Sequence, residues 1–204
     1  MPSVFLVSDT HFGHTGVCRF TRNDGVTKLR PWDSPEEMDE AMIKAWNERV
    51  KPTDKVYHLG DVVINRKALK TLSRLNGDKV LIRGNHDIFR DDDYRQHFRE
   101  LRAYHVMNGM ILSHIPVHSE SLGRFGVNIH GHLHANRVRK ARGVDAKTGE
   151  VYQSNRFIIS FAIFLECSSP RFISCSMIFL CEASSLFWLN LKTCCKSLTI
   201  ISKE

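Results

Sequence analysis

The end of this chain lacks the residues that turn a backbone. All twelve glycines lie at or before Gly149, all eleven histidines at or before His134, and no aspartate follows Asp145. An α/β domain keeps using Gly and Asp for its turns until it closes. Half of the phenylalanines and five of the six cysteines fall instead in residues 157–204. The expectation is a tail foreign to the fold before it, from a shifted reading frame or a replaced terminus, with a small helical appendage as the alternative.

Other absences narrow the class. Cys18 alone precedes Cys167, so residues 1–156 have no disulfide framework. No window holds the ~18 uninterrupted apolar residues of a membrane helix, and the start has no basic region ahead of the short run Val4-Phe5-Leu6-Val7. The expectation is a cytoplasmic protein with no membrane partner. Acidic residues are outnumbered, giving a net charge of +7 and a pI near 9.2, which suits an anionic partner without specifying one.

What is present in residues 1–156 alternates between strand and helix patterns. Val4 to Ser8, Val56 to Leu59, Lys79 to Arg83 and Val127 to His130 are short apolar runs of the kind that form buried strands. Ser34-Pro35-Glu36-Glu37 supplies an N-cap, a first-turn proline and a capping-box glutamate, and Met38, Ala41, Met42, Ala45, Trp46 and Val50 mark one helical face. A second helix is expected with Ala68, Leu69, Leu72 and Leu75 on one side, and a third capped by Asp93 and including His97 and Phe98. Asn108-Gly109 between two apolar triplets predicts a type I′ hairpin. The pattern is that of an α/β sheet protein with layers of helices.

Five short motifs carry chemistry: Asp9-Thr10-His11, Gly60-Asp61, Gly84-Asn85-His86-Asp87, His114 and Gly131-His132-Leu133-His134. Asp9, Asp61 and Asn85 stand directly after, or within two residues of, a predicted strand, where open α/β sheets collect their ligands. In an extended segment residues i and i+2 face one side, so Asp9 with His11, and His132 with His134, are each expected to aim into one cleft. Glycines at 60, 84 and 131 allow sharp turns beside them. Carboxylate, imidazole and one amide, with no thiolate, suit borderline or harder divalent metals. Seven ligands are too many for one tetrahedral ion and about right for two.

This set resembles the calcineurin-like metallophosphoesterase superfamily. The spellings Ser8-Asp9-Thr10-His11-Phe12-Gly13-His14, Val56-Tyr57-His58-Leu59-Gly60-Asp61 and Leu81-Ile82-Arg83-Gly84-Asn85-His86-Asp87 are similar to its small bacterial and phage members. The resemblance covers residues 4 to about 156 and implies a two-sheet sandwich flanked by helices. It implies that Asp9, His11 and His134 hold one metal, that Asn85, His114 and His132 hold a second, and that Asp61 bridges. Manganese is the first expectation for both, with iron, zinc, cobalt or nickel as alternatives.

It also implies a metal-bound hydroxide attacking a phosphate mono- or diester, with His86 protonating the leaving alkoxide and Asp87 or a nearby carbonyl orienting His86. Two divalent ions against Asp9, Asp61 and one hydroxide leave about +1 to attract the substrate, a small molecule, a nucleotide or a nucleic acid end. His14 and His58 are candidates to support the ligands; His118 reads as a loop residue. Arg137, Arg139, Lys140 and Arg142 form a basic run past the last ligands. Two other readings remain: a catalytically impaired metal-binding scaffold, and a protein phosphatase of the same superfamily, which the lack of longer arginine motifs disfavours.

Overall fold

The computed structural model describes residues 2–21, 24–123, 125 and 127–134, and beyond them the backbone of six strands. The apolar runs form the expected strands. β1 (Val4–Val7), β2 (Lys55–His58) and β3 (Asp78–Ile82) lie parallel, with Phe5 beside Val56 and Val56 beside Lys79. β4 (Glu100–Arg102) extends this sheet parallel to β3; its three residues carry too little pattern to be read from sequence.

β5 (Tyr104–Met107) and β6 (Met110–Ser113) form the hairpin, turning through Asn108 and Gly109 at φ 49° and 74°, the type I′ signature. β7 (Val127–His130) runs parallel to β6. β8 (Arg142–Val144) and β9 (Val151–Gln153) make a separate antiparallel pair. β10 (Phe157–Ser160) lies parallel to β7, and β11 (Phe164–Cys167) antiparallel to β1. β12 (Ile173–Ile178) and β13 (Asn190–Thr193) continue outward from β11. The result is two main sheets, ordered β13-β12-β11-β1-β2-β3-β4 and β10-β7-β6-β5.

Period-two alternation divides the core in two. Leu6, Tyr57, Val80 and Ile82 meet Met110, Leu112 and Ile129 of the second sheet. Phe5, Val7, Val56 and Leu81 face the helical side. There α1 (Pro35–Arg49) buries Met38, Met42, Ile43 and Trp46, its Ser34 cap accepting from the Glu37 N–H at 3.1 Å. The buried Trp46 indole N–H donates to the Asn76 carbonyl at 2.9 Å, so its polar edge is satisfied.

Two expected helices differ. The segment carrying Ala68, Leu69 and Leu72 is a 3-10 helix, Arg66–Arg74, rather than an α-helix. Asn65 caps it by accepting from the Ala68 N–H at 3.0 Å. The next helix, α2 (Asp91–Arg95), is one turn, with Asp93 inside it accepting from the Arg90 N–H at 3.1 Å. His97 and Phe98 follow the helix; Phe98 joins the core and His97 contacts the Ser73 hydroxyl at 3.0 Å. Among the described residues no helix is long and apolar enough to cross a membrane.

Candidate metal centre

β1, β2, β3, β6 and β7 deliver their carboxyl ends to one edge, and each is followed within a few residues by a motif residue. Asp9 follows β1, Asp61 β2, Asn85 β3, His114 β6, and His132 and His134 β7. The segments are not extended as expected, because Asp9, His11, His132 and His134 have φ of 54°, 51°, 69° and 51°, yet Asp9 and His11 still fall in one triad. His134 joins Asp9 and His11, while His132 goes to Asp61 and His114.

Each of these two triads brings one nitrogen or oxygen per residue within 4.8 Å of the others. In the first, the His11 and His134 Nε2 atoms each stand 3.8 Å from Asp9 Oδ1, and the two rings stack at 5.2 Å. In the second, Asn85 Oδ1 lies 2.8 Å from His114 Nε2 and 3.0 Å from His132 Nδ1. Asp61 stands between them: its Oδ2 is 3.9 Å from His11 Nε2 and 3.4 Å from His114 Nε2.

The donor chemistry fits a cation in each triad. His11 is buried with both ring nitrogens unpartnered, a cost reduced where something takes up the one lone pair of the neutral ring. His114 donates its Nδ1–H to the Leu59 carbonyl at 2.8 Å, which leaves Nε2 as the ring atom aimed at Asn85 Oδ1 and Asp61. Imidazole nitrogens converging with carboxylate and amide oxygens are the arrangement a divalent ion completes. Burial, helped by the Arg30 charge, holds the His11 pKa down at about 2 and that of His134 at about 4, so both rings are neutral and ready to ligate. Burial raises Asp61, yet the His114 and His86 hydrogen bonds outweigh it and bring its pKa to about 2.

Close backbone packing explains two of the glycines. A Cβ on Gly84 would sit 2.2 Å from Asp61 Oδ1, and one on Gly131 would sit 1.8 Å from Ser8 Oγ. Space, rather than a sharp turn, is what these two positions require.

His86 is exposed at the mouth, its ring centroid 5.6 Å from that of His11, and its N–H donates to Asp61 Oδ1 at 2.8 Å. Asp87 is placed differently from the expectation. Its carboxylate is buried and accepts backbone N–H groups of Asp61, Val62 and Gly84 at 2.9, 2.9 and 2.8 Å. Among the described residues no hydrogen bond joins it to the His86 ring, so it braces the loops rather than the imidazole.

His58 is buried and meets the Thr10 hydroxyl at 3.0 Å, behind the first triad. His14 accepts from the Val17 N–H at 3.1 Å and lies edge-on to His11 at 5.8 Å. His118 starts a 3-10 turn, Ser119–Leu122. Arg137, Arg139 and Lys140 lie outside the described residues, and Arg142 is described only as the first residue of β8.

Sequence reading missed three supporting residues, because a single Arg, Asp or Asn in a loop or on a helix carries no pattern. Asp39 accepts the Gly13 N–H through both oxygens at 3.1 and 3.0 Å, and Asn65 donates to the Gly13 carbonyl at 2.6 Å. Arg30, 4% exposed, donates to the Asp9 and Thr10 carbonyls at 2.6 and 2.9 Å.

A family profile described as the calcineurin-like phosphoesterase superfamily domain matches residues 3–163. The chain belongs to that superfamily. It is therefore a metal-dependent phosphoesterase in general class, with candidate ligands for its metals in the two triads. An uncharacterized protein of Methanocaldococcus jannaschii is 39% identical over 144 residues, 68% of this chain and 73% of its own length. Among solved structures, a protein of unknown function from Aquifex aeolicus is 24% identical at a TM-score of 0.49, covering 67% of this chain and 82% of that one. A structure described as a novel archaeal phosphodiesterase is 17% identical at a TM-score of 0.40, covering 74% of this chain and 98% of that one.

Proposed function

We propose that the protein hydrolyses phosphate mono- or diesters at a dinuclear centre, and that residues 1–156 carry all of its chemistry. The observation that supports this is the position of Asp61, whose Oδ2 reaches toward His11 of one triad and His114 of the other. Asp9, His11 and His134 would hold one ion, Asn85, His114 and His132 the second, and Asp61 both. Two divalent cations bound there, manganese first among the candidates, would supply Lewis acidity toward a phosphoryl oxygen and lower the pKa of a water molecule.

The protein's own groups do the rest. The carboxylates of Asp9 and Asp61 contribute only two negative charges, and neutral Asn85 in place of a third keeps the site attractive to a phosphate ester. His86, exposed and with its backbone tied to Asp61, is placed to give a proton to the leaving oxygen. Residues 157–204 contribute none of these side chains.

The test is metal analysis joined to an ester screen. Purified protein is expected to hold two ions per chain, Asp61→Asn to weaken both, and Mn²⁺-loaded protein to cleave p-nitrophenyl phosphate, its bis-ester or a cyclic nucleotide. One ion per chain, or full occupancy in Asp61→Asn, would contradict the shared carboxylate.

A further inference from the structure

Arg30 belongs to a loop that has no motif of its own. Leu29 N–H bonds the Phe20 carbonyl at 2.7 Å and Thr21 bridges Lys28, so the loop is folded back on itself before Arg30 leaves it. The side chain then runs inward, between the Met38 and Met42 sulfurs, each 3.4 Å from Nη1. Its two terminal nitrogens end on consecutive carbonyls: Nη2 on Asp9 and Nη1 on Thr10.

Those two carbonyls lie within the segment that carries two residues of the first triad. Asp9 and His11 both adopt positive φ, a conformation disfavoured for residues with a Cβ. Turning the chain this way directs the Asp9 and Thr10 carbonyls into the interior, where they need donors. On the other side Asp9, His11 and Phe12 N–H groups bond the Gly60, Asp61 and Val62 carbonyls at 3.0, 3.0 and 2.9 Å. A planar guanidinium matches two adjacent acceptors as a single ammonium cannot.

We propose that Arg30 is the positioning residue of the first triad, its guanidinium spanning the Asp9 and Thr10 carbonyls and holding Asp9 and His11 in ligating geometry. The inference rests on the metal-centre reading for its second consequence but not for its first. The first is local rigidity of the metal-free chain. The second is unequal dependence of the two metal sites on one loop arginine.

Arg30→Lys in the full chain, with Arg99→Lys as a surface control, tests both. In metal-free protein the Asp9, His11 and Phe12 amides are expected to exchange with deuterium about tenfold faster or more in Arg30→Lys, with the β2 and β3 amides unchanged. In Mn²⁺ titration calorimetry one of the two binding steps is expected to weaken about 10–100-fold, as when a ligand's supporting hydrogen bond is lost. Arg30→Met is expected to go further in both, and Arg30→Lys carries the test if that variant does not fold. Unchanged exchange at the three amides, or faster exchange spread over the whole sheet, would overturn the positioning role. Equal weakening of both metal steps would overturn its confinement to the first triad. If wild-type protein takes up no Mn²⁺ the dinuclear reading fails, and the exchange result still decides whether Arg30 holds the segment.

Discussion

Asp87 holds Asp61 from behind, accepting its backbone N–H through Oδ2 at 2.9 Å. Asp61 returns the connection by accepting the His86 N–H through Oδ1 at 2.8 Å. The loops that follow β2 and β3 are thus locked by an exchange of carboxylates, one structural and one facing the centre. Burial raises the Asp87 pKa against three N–H donors that favour its charged form.

Asp87→Asn replaces one acceptor oxygen by an NH₂ group facing backbone donors. It is expected to cost about 1–3 kcal/mol of stability, the penalty of unsatisfied buried groups, and about 10–100-fold in metal affinity. Urea unfolding and metal titration on the same preparation measure the two. A variant as stable as wild type with intact metal binding would show that the brace is dispensable.

His86→Gln separates proton donation from metal binding. Metal content should stay at the wild-type level while turnover of an alkyl phosphate ester falls about 10²–10⁴-fold. A nitrophenolate leaves without a proton, so the nitrophenyl ester should lose far less. Equal losses on the two esters would point to positioning or charge stabilisation, and loss of metal would make His86 a ligand.

Asp39 sets a pH dependence of the ligand loop's anchorage. Burial first, then the neighbouring Glu36 and Glu40 charges, push its pKa up to about 6, against the Gly13 N–H and Arg30, which lower it. The native chain therefore binds this proton more tightly than the unfolded chain, whose carboxyl titrates near 3.8. Its contribution is full below that value and is lost as pH rises through about 6. Asp39→Asn keeps an acceptor for Gly13 without the titration, so the wild-type unfolding free energy should fall relative to the variant between about pH 4 and 6. Parallel pH curves would rule the effect out.

We propose that the tail is poorly integrated, in keeping with its loss of Gly, His and Asp. Amide protection should fall from β2 and β3 outward to β12 and β13 in hydrogen exchange. Protection through Asn190–Thr193 equal to that of β3 would establish these strands as a full part of the fold.

Much of this architecture was legible because it follows from local pattern. The Ser34 cap, the Asn108-Gly109 turn and the apolar runs of β1, β2 and β3 each report a conformation through a few adjacent residues. The site was legible because its residue types are rare together. What was not legible depends on contacts far apart in sequence: Arg30 beneath Asp9 and Asp39 on Gly13. The left-handed backbone at the ligands was missed for a local reason, since no residue type announced that His132 would take a positive φ. The 3-10 path of Arg66–Arg74 likewise leaves Ala68, Leu69 and Leu72 buried, as an α-helix would, so burial pattern alone cannot separate the two.

Among the described residues, six non-glycine positions have positive φ: Asp9, His11, Asp61, His132, His134 and the hairpin residue Asn108. Each costs about 1–2 kcal/mol relative to a relaxed backbone, a cost glycine would avoid at the price of added chain entropy. A campaign that selects this protein for heat resistance alone would thus be drawn toward glycine at five of the six positions whose side chains make up the two triads. Sturdier variants from such a selection should be poorer enzymes, and a screen for activity should run beside the thermal one from the first round.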